Sequence, residues 1–173
     1  MRRKDREVTE IGEILQIVKR AKILHLGLLD EEGPYVVPLH YGYEYVGEKH
    51  ELLFFMHSAK EGHKLDLIRK NPNGCVELEC DIELISGGEN PCNYGASFAS
   101  VMGKAQVELV EEPEEKIRGL KLLMKNQTGR EFDVDAGMAA SVAVMKASVT
   151  EFTAKSRPNE SRANAERENR TAE

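Results

Sequence analysis

Two stretches of the chain alternate between apolar and polar positions with period two. In Gly74–Ile85, Val76, Leu78, Cys80 and Ile82 interleave with Cys75, Glu77, Glu79 and Asp81, which predicts a half-buried strand. Ser141–Phe152 repeats the pattern and predicts a last strand that closes the sheet. Ala96–Val110 reads as a long strand bent or broken around Gly103. Near the start, Ile23–Leu29 and Tyr35–Tyr45 read as strands joined by the turn Asp30–Pro34. Leu52–Met56 is too short for a helix and rich in aromatics, so it reads as a buried strand. These last three strands are expected to form an antiparallel meander. Pro38 cannot donate to a ladder, so it marks an edge, a bulge or a departure from pairing. Gly42 lets another element approach the backbone closely.

Helical spacing appears between the strands. Ile11, Ile14, Leu15 and Val18 define one face of a helix at 9–21, with Thr9 as its cap. Leu65, Leu67 and Ile68 place a helix at 62–70, stopped by Asn71-Pro72. Pro113 sits in the first turn of a third helix, at 111–126, whose Ile117, Leu120, Leu123 and Met124 face inward. Residues 128–137 read as a loop. Six strands with helices among them make an α+β domain on a closed or half-closed antiparallel barrel. Closure also removes the sheet edges that such strands would otherwise expose. The domain is expected at 1–155, opening on a polar arm at 1–8. Beyond it, 156–173 carries Ala163, Ala165 and Ala172 as its apolar residues, too few to fold alone, which leaves disorder or a short exposed helix.

Composition narrows the class. A length of 173 residues and 40% hydrophobic content suit one globular domain. A net charge of −6 argues against a general nucleic-acid binder. No apolar run is long enough to cross a bilayer, and the charged N-terminus is not a secretory signal. Cys75, Cys80 and Cys92 are an odd number without C-x-x-C spacing. That points to a reducing cytoplasm, with Cys75 and Cys80 as core residues and no zinc site.

The chemistry concentrates in Leu52–Pro72, where His57, Ser58, Lys60, Gly62, His63 and Lys64 fall between a strand and a helix start. Free amides at a helix start, a hydroxyl and lysines favour a phosphate. A plainer reading makes Ser58 the helix cap, with Glu61 completing a capping box and the lysines solvated. His57 and His63 lack a third ligand at sensible spacing, so no metal is expected. His25 and His40 are weaker functional candidates, and His50 reads as a solvated turn residue.

Four motifs in order, PYVVPLHYGYEY (34–45), FFMHSAKEGHKLDLIRKNP (54–72), ELEC (77–80) and SFASVMGKAQVE (97–108), resemble flavin-binding split-barrel proteins. The resemblance is strongest to the nitroimidazole-resistance (Nim) group, relatives of pyridoxamine 5′-phosphate oxidase. It covers about residues 1–155 and implies an antiparallel six-stranded split β-barrel with flanking helices. It further implies an FMN-binding cytoplasmic homodimer with its sites at the subunit interface. Ser58 and Lys64 match the family positions that contact the FMN phosphate or ribityl chain. Pro38, Leu39, His40 and Tyr41 match the strand whose backbone lies against the isoalloxazine. Ser100 stands where the family often has an arginine for the phosphate, so either Lys60 or His63 substitutes or the phosphate is held with lower affinity. His57 is expected at the flavin edge, as a catalytic residue or as a strand-end cap. The resemblance thus implies a reductase of small molecules such as nitroaromatics. Without a GxGxxG fingerprint, NAD(P)H would bind only transiently over the flavin. A pyridoxamine-phosphate oxidase, a haem-binding barrel and a non-catalytic flavin binder stay open.

Overall fold

In the computed structural model, which describes residues 3–158, the predicted strand Tyr35–Tyr45 divides at His40–Tyr41. The chain runs β1 (Glu7–Val8), α1 (Ile11–Arg20), β2 (Leu24–Asp30), β3 (Gly33–Leu39), β4 (Gly42–Val46) and β5 (Glu51–Ser58). It continues with α2 (His63–Lys70), β6 (Asn73–Ile85), β7 (Gly95–Leu109), α3 (Pro113–Thr128), α4 (Ala136–Ala140) and β8 (Ala143–Arg157). The strands form one antiparallel sheet in the order β3-β2-β6-β7-β8-β5-β4, with β1 added to β8. Its two end strands, β3 and β4, are consecutive in the chain and separated by His40 and Tyr41 alone. A twisted sheet whose ends are tied that closely has to curl round on itself. The result is an α+β split barrel.

Alternation fills the barrel. Leu24, Leu26 and Leu28 of β2, Val76 and Leu78 of β6, and Met145, Ala147 and Val149 of β8 point inward with Leu52, Phe54 and Met56 of β5. Helices α1 and α2 add Ile14, Ile17 and Val18, and Leu65, Leu67 and Ile68, to the same cluster. Each large side chain buried this way contributes roughly 1.5–3 kcal/mol. A second cluster of Leu53, Phe55, Val110 and Val144 lies on the outer face, with Leu120 and Leu122 of α3 packed against it. Thus α3 covers β4 and β5 from outside. The outer face of β3, β2, β6 and β7 carries Leu29, Val36 and Met102, each more than half exposed.

The junction of β3 and β4 is pinned from three sides. Tyr41 is fully buried, its hydroxyl reaching the carbonyls of Val18 (2.6 Å) and Ala21 (3.0 Å). Its own carbonyl accepts from Asn126 Nδ2 (3.0 Å) and Gln127 Nε2 (2.9 Å) of α3. A Cβ on Gly42 would lie 2.1 Å from the backbone nitrogen of Leu123, so α3 needs a glycine there.

Several expectations are corrected. The described residues form eight strands rather than six: the Tyr35–Tyr45 strand splits, and Glu7–Val8 of the expected polar arm pairs with β8. No three-strand meander forms, because β5 pairs with β4 and β8 while β3 pairs with β2. Glu10 rather than Thr9 is the α1 N-cap, and it caps without a side-chain bond. The end of the expected 128–137 loop is helical, capped by Asp135 Oδ1 accepting from Met138 N at 2.8 Å. Strand β8 continues to Arg157, past the expected domain end at 155, while 159–173 lies outside the described residues. Cys75 is exposed, as its alternation with Val76 dictates, and Cys80 is half-buried. His50 is not simply solvated: Tyr45 Oη lies 2.9 Å from its Nδ1 and its ring stacks on Phe152. Among the described residues no helix is long and apolar enough to cross a membrane.

Two glycine substitutions should separate these effects. Gly42→Ala should destabilise the fold by about 3 kcal/mol, since two backbones would have to part. Gly12→Ala, on the open side of α1 with nothing within 4 Å, should stabilise by about 0.5 kcal/mol. Thermal denaturation of both variants beside the parent checks the pair.

Candidate functional site

The turn from β5 into α2 starts at Ser58, the last residue of β5. Its hydroxyl donates to the Ala59 carbonyl at 2.9 Å and caps no helix. The expected Ser58–Glu61 capping box is therefore absent. The cap is Gly62, whose φ of 142° is open to glycine and strained for other residues. Helical bonding begins with Leu65 N donating to Gly62 O at 2.9 Å. The amides of His63 and Lys64 precede that first bond and remain at the positive end of the helix dipole. Neither Lys60 nor Lys64 has an ion-pair partner among the described residues.

His63 turns toward β2 and β3. Its Nε2 lies 2.5 Å from Asp30 Oδ2, and its ring meets Tyr35 edge-on at 5.2 Å. The His63 hydrogen bond, and after it the Glu31 amide, hold the Asp30 carboxyl below the usual carboxylate range. Lys60 goes elsewhere. It lines a cavity of about 310 Å³ with Arg69, Lys116, Leu109 and Val144. The two residues expected to replace the missing arginine thus diverge around α2.

His57 is exposed, on the outer face of β5 and opposite Val144 of β8. Tyr41 has its side chain sealed in the core, and burial raises its hydroxyl's proton affinity further. His40 is exposed with Nδ1 3.2 Å from the Lys22 carbonyl. Leu39 points inward, opposite Leu24, whereas Pro38 points outward, opposite His25. Ser100 also points outward, opposite Glu79 and Lys155. A cavity of about 1110 Å³ between α1, β4 and the end of α3 contains none of the predicted site residues.

Between Pro38 and Ser100 lies a group that the sequence reading did not assemble. His25 Nδ1 is 3.1 Å from Glu77 Oε2 and 3.7 Å from Glu79 Oε2, all three half-buried. Burial, then the hydrogen bond and charge of Glu79, push the Glu77 carboxyl up to about 7, against the opposing pull of His25. The alternation put Glu77 and Glu79 on one face of their strand. Their approach to His25 is set by the β2–β6 register, in which His25 opposes Glu77. Cys80 takes no part: burial pushes its thiol up to about 11, and it behaves as an apolar residue.

The sequence profile of pyridoxamine 5′-phosphate oxidase matches residues 10–156. The chain belongs to the pyridoxamine 5′-phosphate oxidase family. Among solved structures, a candidate 5-nitroimidazole antibiotic resistance protein from Bacteroides thetaiotaomicron is 30% identical, with 87% of this chain and 86% of that one covered and a TM-score of 0.71. The flavocytochrome Anf3 from Azotobacter vinelandii is 18% identical over 92% of this chain and 72% of its own, also at 0.71. A FAD-binding protein from Mesorhizobium loti is 18% identical over 88% and 98%, at 0.59. The last two share the fold alone. No curated protein matches the chain.

Within this family member the raised Glu77 has a thermodynamic consequence. Between the ordinary 4.5 and about 7 the folded state holds a proton that the unfolded chain has released. Stability therefore falls as pH rises through that window and levels off above it. The side chain is 29% exposed, so after solvent screening the loss should be about 1–2 kcal/mol. Glu77→Gln should flatten the fall, which denaturant unfolding at pH 5 and pH 8 checks.

Proposed function

We propose that this protein binds FMN along β3 as a homodimer and reduces small molecules, nitroaromatics among them. The carrying observation is the head of α2: a strand-end hydroxyl, free first-turn amides and a lysine without an ion-pair partner meet at one end of the β2–β3 hairpin. That donor set suits a phosphate, with Ser58 and Lys64 binding it and His63 held by Asp30 beside it. The Ser58 hydroxyl has only a local bond to exchange for it.

The hairpin supplies the length. Asp30 marks its phosphate end and His25, opposite Pro38, the other end, five residues away along β2. At about 3.3 Å per residue the span is roughly 17 Å, which suits an elongated ligand with phosphate at one end and rings at the other. Strand β3 ends the sheet path, so its outer edge leaves backbone groups unpaired for the ring system near Pro38, Leu39 and His40. When bound, FMN would supply hydride and single-electron chemistry. The protein's own part is to bind, to orient and to exclude water. The exposed Leu29, Val36 and Met102 of the same outer face suit a second copy of the chain. A nicotinamide donor is the natural reductant and would dock transiently.

Added FMN should give a stoichiometric bound-flavin absorption spectrum with the purified protein. Lys64→Ala should weaken FMN binding about tenfold by fluorescence titration, the loss of one charge-assisted contact. His57→Ala should keep the flavin and lower nitroaromatic turnover, and unchanged turnover would remove His57 from the mechanism. A protein that ignores FMN, or one that shows a Soret band instead, would sink the proposal.

A further inference from the structure

The uncovered outer face of the sheet reads as rows across the strands. One row runs Pro38, His25, Glu77, Met102 and Thr153, from β3 through β8. The next brings Glu79, Ser100 and Lys155 into line. On the other side lie Val36, Gly27, Cys75 and Lys104. Two carboxylates and an imidazole therefore sit together, flanked in their own row by Pro38 and Met102. Their donor atoms lie within 4.8 Å of one another. The nearest lysine along β7 by register, Lys104, is engaged by Glu151 at 3.3 Å. Glu77 thus faces His25 from β2, Glu79 and Cys75 from its own strand, and Met102, Ser100 and Lys104 from β7. Lys155 lies two strands from Glu79, beyond Ser100, so His25 is the group in direct contact with both carboxylates.

Such a group does not comfortably hold two negative charges side by side in a half-buried setting. It keeps an exchangeable proton near neutrality, where proton donors to bound substrates work best. Pro38 is two strands from Glu77, about 10 Å at the usual strand spacing, and the intervening His25 bridges that gap.

We propose that His25, Glu77 and Glu79 form a proton-loading group for the reduction at the Pro38 end of β3, with Glu77 as the proton source, His25 as the relay to the acceptor and Glu79 as a positioning residue. This rests on the flavin reading above. In the step, the Glu77 O–H bond breaks and its proton passes to His25 Nδ1, 3.1 Å away, while the Nε2–H bond of His25 breaks and that proton passes to an oxygen of the bound acceptor. The Glu77 carboxylate is left against His25 and is reloaded from water. For a nitro acceptor, two electrons and two protons yield a nitroso group and water. The electron pair and one proton come as hydride from a nicotinamide donor, and the second proton comes from Glu77 through His25.

The test has two independent readouts. Carboxyl ¹³C NMR on the protein without cofactor should show the Glu77 resonance titrating near pH 7, and Glu79→Gln should move that midpoint down by at least one unit. In the FMN-loaded protein, Glu77→Gln should lower nitroaromatic turnover about 100-fold at pH 6 while FMN affinity stays within twofold, the deficit shrinking above pH 8. Glu79→Gln, which keeps the donor, should shift the pH profile to lower pH rather than abolish turnover. A Glu77 midpoint in the ordinary carboxylate range, or an unchanged pH profile in Glu77→Gln, overturns the inference while leaving FMN binding intact. Failure to bind FMN overturns the functional reading itself, whatever the NMR midpoint shows.

Discussion

Everything in this fold hangs on the two-residue passage from β3 to β4. Those strands end a seven-strand path and yet are neighbours in the chain, so the sheet cannot stay open. Tyr41 holds the passage by inserting its ring into the barrel, edge-on to Phe54 at 5.5 Å, while its polar ends bond to α1 and α3. A buried hydroxyl or carbonyl left without partners would cost about 1–3 kcal/mol, so these bonds fix where both helices lie. Gly42 then allows α3 to come within backbone contact.

Closure separates the surfaces by role. The interior is apolar, and no buried side-chain polar atom among the described residues lacks a partner. The outer face of β4 and β5 lies under α3, with Phe55 between Gly119 and the Arg118 guanidinium. Polar chemistry can then collect in two regions: the turn into α2, and the uncovered face of β3, β2, β6 and β7. The β2–β3 hairpin joins them, with His63 on Asp30 at one end and His25 opposite Pro38 at the other. The His63–Asp30 pair and the His25–Glu77 pair are thereby held five residues apart along one hairpin.

The sequence was a good guide wherever physics is local. Period-two alternation located β6 and the last strand, helical spacing located α1, α2 and α3, and Gly42 announced a close approach that α3 makes. The misreadings have separate causes. Tyr35–Tyr45 looks like one strand because each half is extended, and only the closure of the sheet shows that its halves belong to opposite ends. The Ser58–Glu61 spacing satisfies a capping rule, but the helix starts later, at Gly62, where the backbone takes a conformation that suits glycine. His63 and Lys60 look equivalent in the chain and diverge because α2 stands between their destinations.

By itself the sequence determined most element types and the α+β class, and it showed polar donors concentrated at residues 57–64. These follow from side-chain periodicity and from the donors a short segment carries, neither of which needs distant partners. Tertiary structure alone decided which polar residues meet. His25 lies 52 positions from Glu77, and strand register brings them within 3.1 Å. The proton affinity of Glu77 is likewise a tertiary property, because it depends on burial and on Glu79 rather than on the identity of the residue.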